Sequence, residues 1–173
     1  EGEVCVDDTD EALLEYISNF SLDHNLKIKT YHHDIFNKLP DSLLSSFDAV
    51  FLDPVDEGRW LEAWLERAVE SLIEMPGARL LLSVNKERLG RREIAVREWL
   101  LDLDFEMEEC YPALNEYPLH RELHKFYKEV PNLPNLPKEP LCNSIYTDLV
   151  VYKRSLSLKM LRFQDFKELR RKV

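Results

Sequence analysis

The chain has 173 residues, of which 45% are hydrophobic and 32% are charged, and its formal net charge is -10. This length and composition are typical of a single globular domain with a full hydrophobic core. The negative charge argues against binding to a phosphate backbone, which requires clustered lysine and arginine. The apolar runs are too short to span a bilayer. The cysteines, three and far apart, fit a reducing compartment, so we expect a cytoplasmic protein without a membrane or nucleic-acid partner.

Strands and helices alternate through the first two thirds of the sequence. Apolar patterning predicts strands at Glu3–Val6, Leu26–Tyr31, Phe47–Leu52 and Arg79–Val84. Helical spacing predicts helices over Glu11–Phe20, from Trp60 to Ile73 and over Glu93–Leu103, with Ile94 and the three tryptophans Trp60, Trp64 and Trp99 facing the core. A short helical turn is expected between Lys38 and Ser46. This alternation is typical of a parallel α/β sheet.

The last third of the chain changes character. Phe105–Tyr111 and Ile145–Tyr152 predict two strands without an obvious crossover between them, which indicates an antiparallel hairpin at the sheet edge. A helical piece near Leu119–Tyr127 and a proline-rich loop lie between these strands. We expect one domain in residues 1–154, followed by a charged helix or tail in residues 155–173. A partner protein or a second copy of the chain could bind that tail.

Acidic residues follow three successive predicted strands, at Asp8, Asp34 and Asp53. Ligands of open α/β sheets bind at the carboxyl ends of the strands, and an acid placed there can accept hydrogen bonds from ribose hydroxyls. The next acid can accept from the adenine amino group, with Ile35 or Phe36 packed on the ring. The third acid would face the substrate.

The same acids also have a purely structural interpretation. Asp8 or Thr9 could cap the first helix, and Asp10 could be an acid of its first turn. Asp34 could form a turn and Asp53 could cap the following helix.

Metal and acyl-transfer chemistry have less support. His32 and Asp34 can point to one side of a strand, but two ligands are too few. His120 and His124 share a helical face, yet the glutamate of a zinc-protease motif is missing between them. Ser83 has no nucleophile-elbow context. We therefore expect no metal site.

The segment from Val4 to Ile17, Val-Cys-Val-Asp-Asp-Thr-Asp-Glu-Ala-Leu-Leu-Glu-Tyr-Ile, resembles the second-strand motif of class I S-adenosylmethionine-dependent methyltransferases. Within that superfamily it is most similar to the branched-chain polyamine synthases, which are aminopropyltransferases. Further pieces match in order at His33–Pro40, Phe47–Gly58 and Asn143–Tyr146, and more weakly at Tyr111–Tyr117.

The resemblance implies an α/β, Rossmann-like methyltransferase fold. Its sheet is expected to be mostly parallel with an antiparallel C-terminal edge hairpin. The chain opens at the segment that matches the second strand of that fold, so we expect an N-terminally truncated version of it.

Carried over to this chain, the resemblance implies that Asp8 holds the ribose and Asp34 the adenine, with Asp10 and Ile35 as further cofactor-binding residues. Asp53 would lie beside the attacking amine as the catalytic acid–base group. The implied cofactor is S-adenosylmethionine or its decarboxylated form, and the implied reaction is aminopropyl transfer to a polyamine.

One departure leaves alternatives open. The family sequence Asp-Pro-Pro-Tyr-Thr is Asp-Pro-Val-Asp-Glu here, although Asp56 and Glu57 could still bind a cationic substrate. Methyl transfer to another small-molecule acceptor would need the same cofactor site. A degenerate, non-catalytic binding module is the third hypothesis.

Overall fold

The computed structural model of the chain describes residues 2–54, 59–118 and 144–155. The predicted helical piece near Leu119–Tyr127, the proline-rich loop and residues 156–173 lie outside the described residues. In the parts that the structure describes, no helix is both long enough and apolar enough to cross a membrane.

The described residues form six strands and four α-helices. The strands are β1 (Val4–Asp8), β2 (Ile28–His32), β3 (Ala49–Leu52), β4 (Arg79–Val84), β5 (Phe105–Pro118) and β6 (Ser144–Arg154). The helices are α1 (Glu11–Asp23), α2 (Arg59–Ser71), α3 (Lys86–Leu89) and α4 (Arg91–Asp102). A 3-10 turn covers Asp41–Leu43, where the sequence predicts a helical turn. Every predicted strand and helix within the described residues is confirmed, and α3 is an additional element.

The strands form two hydrogen-bonded groups. β1 and β2 make a parallel pair, and the other strands make a sheet of order β3-β4-β6-β5. In that sheet β3 and β4 are parallel, whereas β6 is antiparallel to both β4 and β5. The predicted antiparallel C-terminal pair is therefore confirmed, with β5 at the edge. The expectation of a mostly parallel sheet is not met among the described strands, because β6 makes two antiparallel ladders.

The hydrophobic core lies against the four-stranded sheet. Helix α2 faces it with Leu61, Leu65, Ala68 and the following Leu72, which recur at helical spacing. Alternate residues of β4 are buried on the same core, and Leu100, Phe105 and Val150 complete its centre. Parallel strands that are covered by helices read as aliphatic runs, which explains the sequence of β4.

Three of the residues predicted to face the core do not do so. Trp60 is 46% exposed and Ile94 is 55% exposed. Trp60 lies in the first turn of α2 and packs on Phe36 instead of the sheet. Ile94 lies roughly 200° around α4 from Val96, which does pack against the core. Trp64 also packs there, as predicted, whereas Trp99 remains 36% exposed.

Candidate functional site

Strand ends bring the predicted acids to defined places. Asp8 is the last residue of β1 and pairs with His32, the last residue of β2, so Asp8 and Asp34 lie at the same end of that parallel pair. Asp53 directly follows β3. Leu52 at the end of β3 pairs with Leu82, so Asp53 lies level with the carboxyl end of β4.

Asp8 and Asp10 both take part in the start of α1. The Asp10 carboxylate accepts hydrogen bonds from the backbone N–H groups of Ala12 at 3.0 Å and Leu13 at 3.1 Å, which makes Asp10 the N-cap. The expected caps were Asp8 or Thr9. Asp8 Oδ1 instead accepts from the Asp10 N–H at 2.9 Å and holds the capping residue in place.

Asp34 shapes the turn after β2. Its Oδ1 accepts a hydrogen bond from the Phe36 N–H at 2.9 Å, the short-range bond of an Asx turn. This turn buries the Ile35 side chain, which is 8% exposed, and leaves Phe36 at 38% exposed. The Phe36 ring lies edge-on to Trp60, with 4.5 Å between centroids, and the Arg59 guanidinium lies 4.7 Å from the Phe36 centroid. Phe36 is therefore the exposed apolar group next to Asp34.

A polar network surrounds Asp53. The Tyr117 hydroxyl donates a hydrogen bond to Asp53 Oδ2. Behind it, Ser83 Oγ and Thr147 Oγ1 lie 2.8 Å apart, and Asn115 Nδ2 donates to Ser83 Oγ at 2.9 Å. The hydrogen bond to Asp53 raises the pKa of Tyr117, and burial adds to this effect, whereas the hydroxyls of Ser83 and Thr147 oppose it. Tyr117 therefore stays protonated at neutral pH and donates to Asp53.

A bulge in β5 brings Asn115 and Tyr117 to this network. The pairing of β5 with β6 shifts register between Tyr111 and Asn115, and Ala113 has a positive φ of 50°. Asp148 on β6 fixes the bulge, since its Oδ1 accepts from the Ala113 N–H at 2.9 Å and its Oδ2 binds Lys86 Nζ at 2.9 Å. The Ala113 N–H is the main cause that lowers the pKa of Asp148, and Lys86 acts in the same direction.

A second carboxylate lies beside Tyr117 in the sequence. Glu116 Oε1 accepts from Ser144 Oγ at 2.6 Å and from the Tyr146 hydroxyl at 3.1 Å. Neighbouring residues of a strand point to opposite faces, so the carboxylates of Glu116 and Asp53 belong to different faces of β5. The Glu116 contacts connect β5 with the start of β6.

The structure thus gathers some of the predicted residues and adds others. Asp8, Asp10 and Asp34 lie at one end of the β1–β2 pair, and Asp53 lies at the end of β3, whereas Asp56 and Glu57 fall outside the described residues. Within the described ranges, no group of three or more histidines, cysteines or acids could hold a metal ion. Sequence reasoning missed the residues around Asp53, namely Tyr117, Ser83, Thr147 and Asn115. The one feature of the sequence that indicates Ser83 is its hydroxyl near the end of the otherwise aliphatic strand β4.

The sequence of this chain matches a known protein family. Residues 1–168 match the family model described as the branched-chain polyamine synthase A C-terminal domain. The chain belongs to this family. Among curated proteins, the chain is 31% identical over 115 residues to the uncharacterized protein MJ0675 of Methanocaldococcus jannaschii, in an alignment that covers 66% of the chain and 29% of that protein.

Solved structures share the fold of this chain. The branched-chain polyamine synthase from Thermus thermophilus, in complex with N4-aminopropylspermidine and 5'-methylthioadenosine, matches with a TM-score of 0.72 at 19% identity. That match covers 89% of this chain and 45% of the synthase. A putative methyltransferase from Bacillus halodurans matches with a TM-score of 0.58 at 15% identity, over 90% of this chain and 84% of the other.

These matches confirm the methyltransferase-like α/β fold and its resemblance to the polyamine synthases. The matches cover less than half the length of the Thermus thermophilus synthase and of the Methanocaldococcus jannaschii protein.

Proposed function

We propose that this domain binds S-adenosylmethionine or its decarboxylated form, and that it contributes to aminopropyl transfer to a polyamine. The observation that carries the proposal is the position of Asp53 at the carboxyl end of β3, where the Tyr117 hydroxyl binds one of its oxygens. Ligands of open α/β sheets bind at this end of the strands. Membership of the polyamine synthase family supports the choice of a cationic amine as the acceptor.

The nucleoside would bind at the end of the β1–β2 pair. Backbone N–H groups hold Oδ1 of Asp8 and Oδ1 of Asp34, so both carboxylates are oriented before the ligand arrives. In this proposal Oδ2 of Asp8 accepts from the ribose hydroxyls, and Oδ2 of Asp34 accepts from the adenine amino group. The exposed ring of Phe36 would pack on the adenine, whereas the buried Ile35 would support it from below. Asp10 would contribute by fixing the start of α1.

Asp53 would serve the acceptor amine. Transfer requires a neutral amine nitrogen, so the substrate ammonium must first lose a proton, which Asp53 Oδ1 can accept. The nitrogen lone pair then forms a bond to the methylene next to the sulfonium. The carbon–sulfur bond breaks with its electron pair on sulfur, and methylthioadenosine leaves. Tyr117 keeps Asp53 in one orientation throughout, and Asp56 and Glu57 would bind other ammonium groups of the polyamine.

Two alternatives remain distinct from this proposal. A methyltransferase would use the same nucleoside site and release S-adenosylhomocysteine, whereas aminopropyl transfer releases methylthioadenosine. A non-catalytic module would bind a partner protein, for example through residues 155–173, and would release neither product. Analysis of the thioether product by mass spectrometry therefore separates the three.

Calorimetry with methylthioadenosine tests the nucleoside site. Asp8→Asn and Asp34→Asn remove a charge but keep an oxygen for the N–H group that each Oδ1 binds. Each should weaken binding about tenfold, the expected effect of one charged hydrogen bond. The control is Asp23→Asn, which changes an exposed acid at the opposite end of α1 from the N-cap. A folded wild-type chain that binds no methylthioadenosine would refute a nucleoside site in this chain alone.

Turnover of decarboxylated S-adenosylmethionine and spermidine tests Asp53. We expect Asp53→Asn to lower kcat at least about a hundredfold, because general-base catalysis typically contributes that much. Binding of methylthioadenosine should be unchanged in this variant. Tyr117→Phe should lower kcat by a smaller factor, since the carboxylate remains but loses one partner. Equal kcat values for the wild type and Asp53→Asn would exclude the assigned role.

A further inference from the structure

Three polar side chains lie behind Tyr117 on one face of the sheet, and we call Ser83, Thr147 and Asn115 the Ser83 network. Asn115 pairs with Thr147 across β5 and β6, and Tyr117 follows Asn115 two residues later on the same face. Ser83 on β4 pairs with Leu149, two residues after Thr147, and so shares that face. Ser83 is only 2% exposed and Thr147 only 9% exposed, so both hydroxyls lie inside the protein.

The position of Ser83 in β4 favours an aliphatic residue, because the strand reads Arg-Leu-Leu-Leu-Ser-Val. A buried hydroxyl is destabilising unless it finds a hydrogen-bond partner. Asn115 Nδ2 donates to Ser83 Oγ at 2.9 Å, and Thr147 Oγ1 lies 2.8 Å from the same oxygen. An aliphatic side chain would need neither partner. The Ser83 network therefore calls for an explanation beyond packing, and the Tyr117 hydroxyl, which it also contacts, offers one.

The hydrogen bonds of the Ser83 network run in one direction. An amide nitrogen can only donate, so Asn115 stands at the beginning of the chain of donors. A phenol has a single proton, and Tyr117 gives its proton to Asp53 Oδ2. The oxygen of Tyr117 can therefore only accept from Ser83 and Thr147, whose hydroxyls act to lower the pKa of Tyr117. Each donor thus points towards the Asp53 carboxylate.

We propose that Ser83 and Thr147 are positioning residues for Asp53 and act through the Tyr117 hydroxyl. Because they donate to the oxygen of Tyr117, the proton of that hydroxyl cannot turn back towards them and stays on Asp53 Oδ2. The other carboxylate oxygen, Oδ1, is then the one that accepts the proton of the acceptor ammonium. This inference rests on the proposed aminopropyl transfer, since Asp53 has the task of a general base only in that reaction.

The titration of Tyr117 tests the direction of the donors without any need for turnover. Difluorotyrosine in place of Tyr117 gives a fluorine NMR signal for that ring alone, and its more acidic phenol titrates at a pH at which the fold is intact. Ser83→Ala and Thr147→Val each remove a hydroxyl that lowers the pKa of Tyr117, so the titration should move to higher pH. Asp53→Asn removes the charged acceptor that raises this pKa most, so the titration should move to lower pH.

The sign of the change separates positioning from a structural defect. Burial also raises the pKa of Tyr117, so a loosened sheet that exposes the ring would move the titration to lower pH. Thr147→Ser keeps the hydroxyl and should titrate as the wild type does. Thr30→Val is the matched control, because it removes one hydroxyl of the Ser18–Thr30 pair, 2.9 Å apart and remote in sequence from Asp53. An unchanged or lower titration in Ser83→Ala and Thr147→Val would overturn the proposal.

Turnover of decarboxylated S-adenosylmethionine and spermidine tests the consequence for Asp53. Ser83→Ala and Thr147→Val should each lower kcat about threefold to tenfold, the effect of one neutral hydrogen bond. KM and the binding of methylthioadenosine should stay unchanged, since neither hydroxyl touches substrate or nucleoside in this proposal. Thr147→Ser should restore the kcat of the wild type, and Thr30→Val should not alter it. A Thr147→Ser variant as slow as Thr147→Val would show that the hydroxyl is not what matters.

The two measurements separate this inference from the function on which it rests. A wild-type chain that turns over its substrates, with the same kcat in Ser83→Ala and Thr147→Val, would overturn the positioning role and leave aminopropyl transfer standing. A wild-type chain that neither binds methylthioadenosine nor turns over would refute the proposed function and, with it, the positioning role. The titration of Tyr117 would then still decide whether the donors of the Ser83 network point towards Asp53.

Discussion

The four-stranded sheet and the β1–α1–β2 unit are built from similar sequences but are stabilised very differently. Every residue of the buried core cluster comes from Leu52 onwards, and the most deeply buried include Leu72, Leu80 and Leu100. Helix α1 buries only Leu14 and Ser21. Four of its other apolar side chains are exposed, namely Leu13 at 42%, Tyr16 at 66%, Phe20 at 41% and Leu22 at 79%.

The difference in burial predicts a difference in local stability between the two regions. Helix α1 contributes few buried side chains, and segments with few buried apolar contacts open at low free energy. The β1–α1–β2 unit therefore depends on contacts with the rest of the molecule, and opens more easily than the four-stranded sheet. A cavity lined by residues of both β1 and β3 lies at the boundary between these two regions.

Truncation of leucines should give the largest contrast between the two regions. Leu80→Ala leaves a cavity where the side chain is 0% exposed, and should lower the free energy of unfolding by about 3 kcal/mol. Leu13→Ala on α1 removes the same atoms from a side chain that is 42% exposed, and should cost less than about 1 kcal/mol. Urea unfolding followed by circular dichroism measures both. Equal losses would disprove the contrast between the regions.

The pH dependence of stability at alkaline pH should also differ between the two regions. Burial raises the pKa of Tyr152 to about 12, so the folded state favours the neutral phenol. This contribution is fully present below pH 10, the ordinary pKa, and is lost as the pH rises towards 12. Between these limits the stability difference between the wild type and Tyr152→Phe should change by about 3 kcal/mol. Tyr16→Phe, at a ring that is 66% exposed, should follow the wild type. A difference that stays constant with pH would contradict the buried-phenol explanation.

Asp148 should make an intermediate contribution to the free energy of unfolding, because it fixes the bulge of β5. Asp148→Ala removes the acceptor of the Ala113 N–H and the partner of Lys86, and should cost about 2 kcal/mol. Asp148→Asn keeps an acceptor and should cost about 1 kcal/mol. Because these contacts lower the pKa of Asp148, its contribution should persist above the ordinary value of about 4 and disappear as the pH falls below it.

The exposed ion pair of the β1–α1–β2 unit provides the control for Asp148. Glu3→Gln breaks the contact with Lys29, in which both side chains are more than half exposed, and should cost less than about 0.5 kcal/mol. Chemical unfolding at several pH values compares the variants. A Glu3→Gln loss equal to that of Asp148→Ala would contradict the role assigned to the bulge.

Small coupling energies should also distinguish two pairs of hydroxyls, one in each region. Ser83 and Thr147 lie 2.8 Å apart in the buried interior, and Ser18 and Thr30 lie 2.9 Å apart in a partly buried place. Double-mutant cycles with alanine and valine should give a coupling of about 1 kcal/mol for the buried pair and about half that for the other. The larger coupling in the Ser18–Thr30 pair would reverse the proposed order of the regions.

The candidate site shows where sequence reasoning ends. The strand ends predicted the positions of Asp8, Asp34 and Asp53, because a polar residue after an apolar run is visible in the sequence. Tyr117 is 64 residues from Asp53, and its approach depends on a bulge that Asp148 fixes from another strand. No pattern in the sequence around either residue predicts such a contact. The sequence predicted Asp10 either as an acid of the first helical turn or as a cofactor ligand, whereas its hydrogen bonds from the N–H groups of Ala12 and Leu13 make it the N-cap.

The sequence by itself determined the strand and helix segments, since periodicity and chain breakers act locally. It also contained the resemblance to the polyamine synthases that the family match confirms. Only the tertiary structure decided which amphipathic faces find a partner. The apolar face of α2 packs on the four-stranded sheet, and both surfaces are buried. Trp60, Ile94 and most of α1 find no such partner surface. The reason is physical: an apolar side chain carries the tendency to be buried, but the surface that buries it comes from residues distant in the chain.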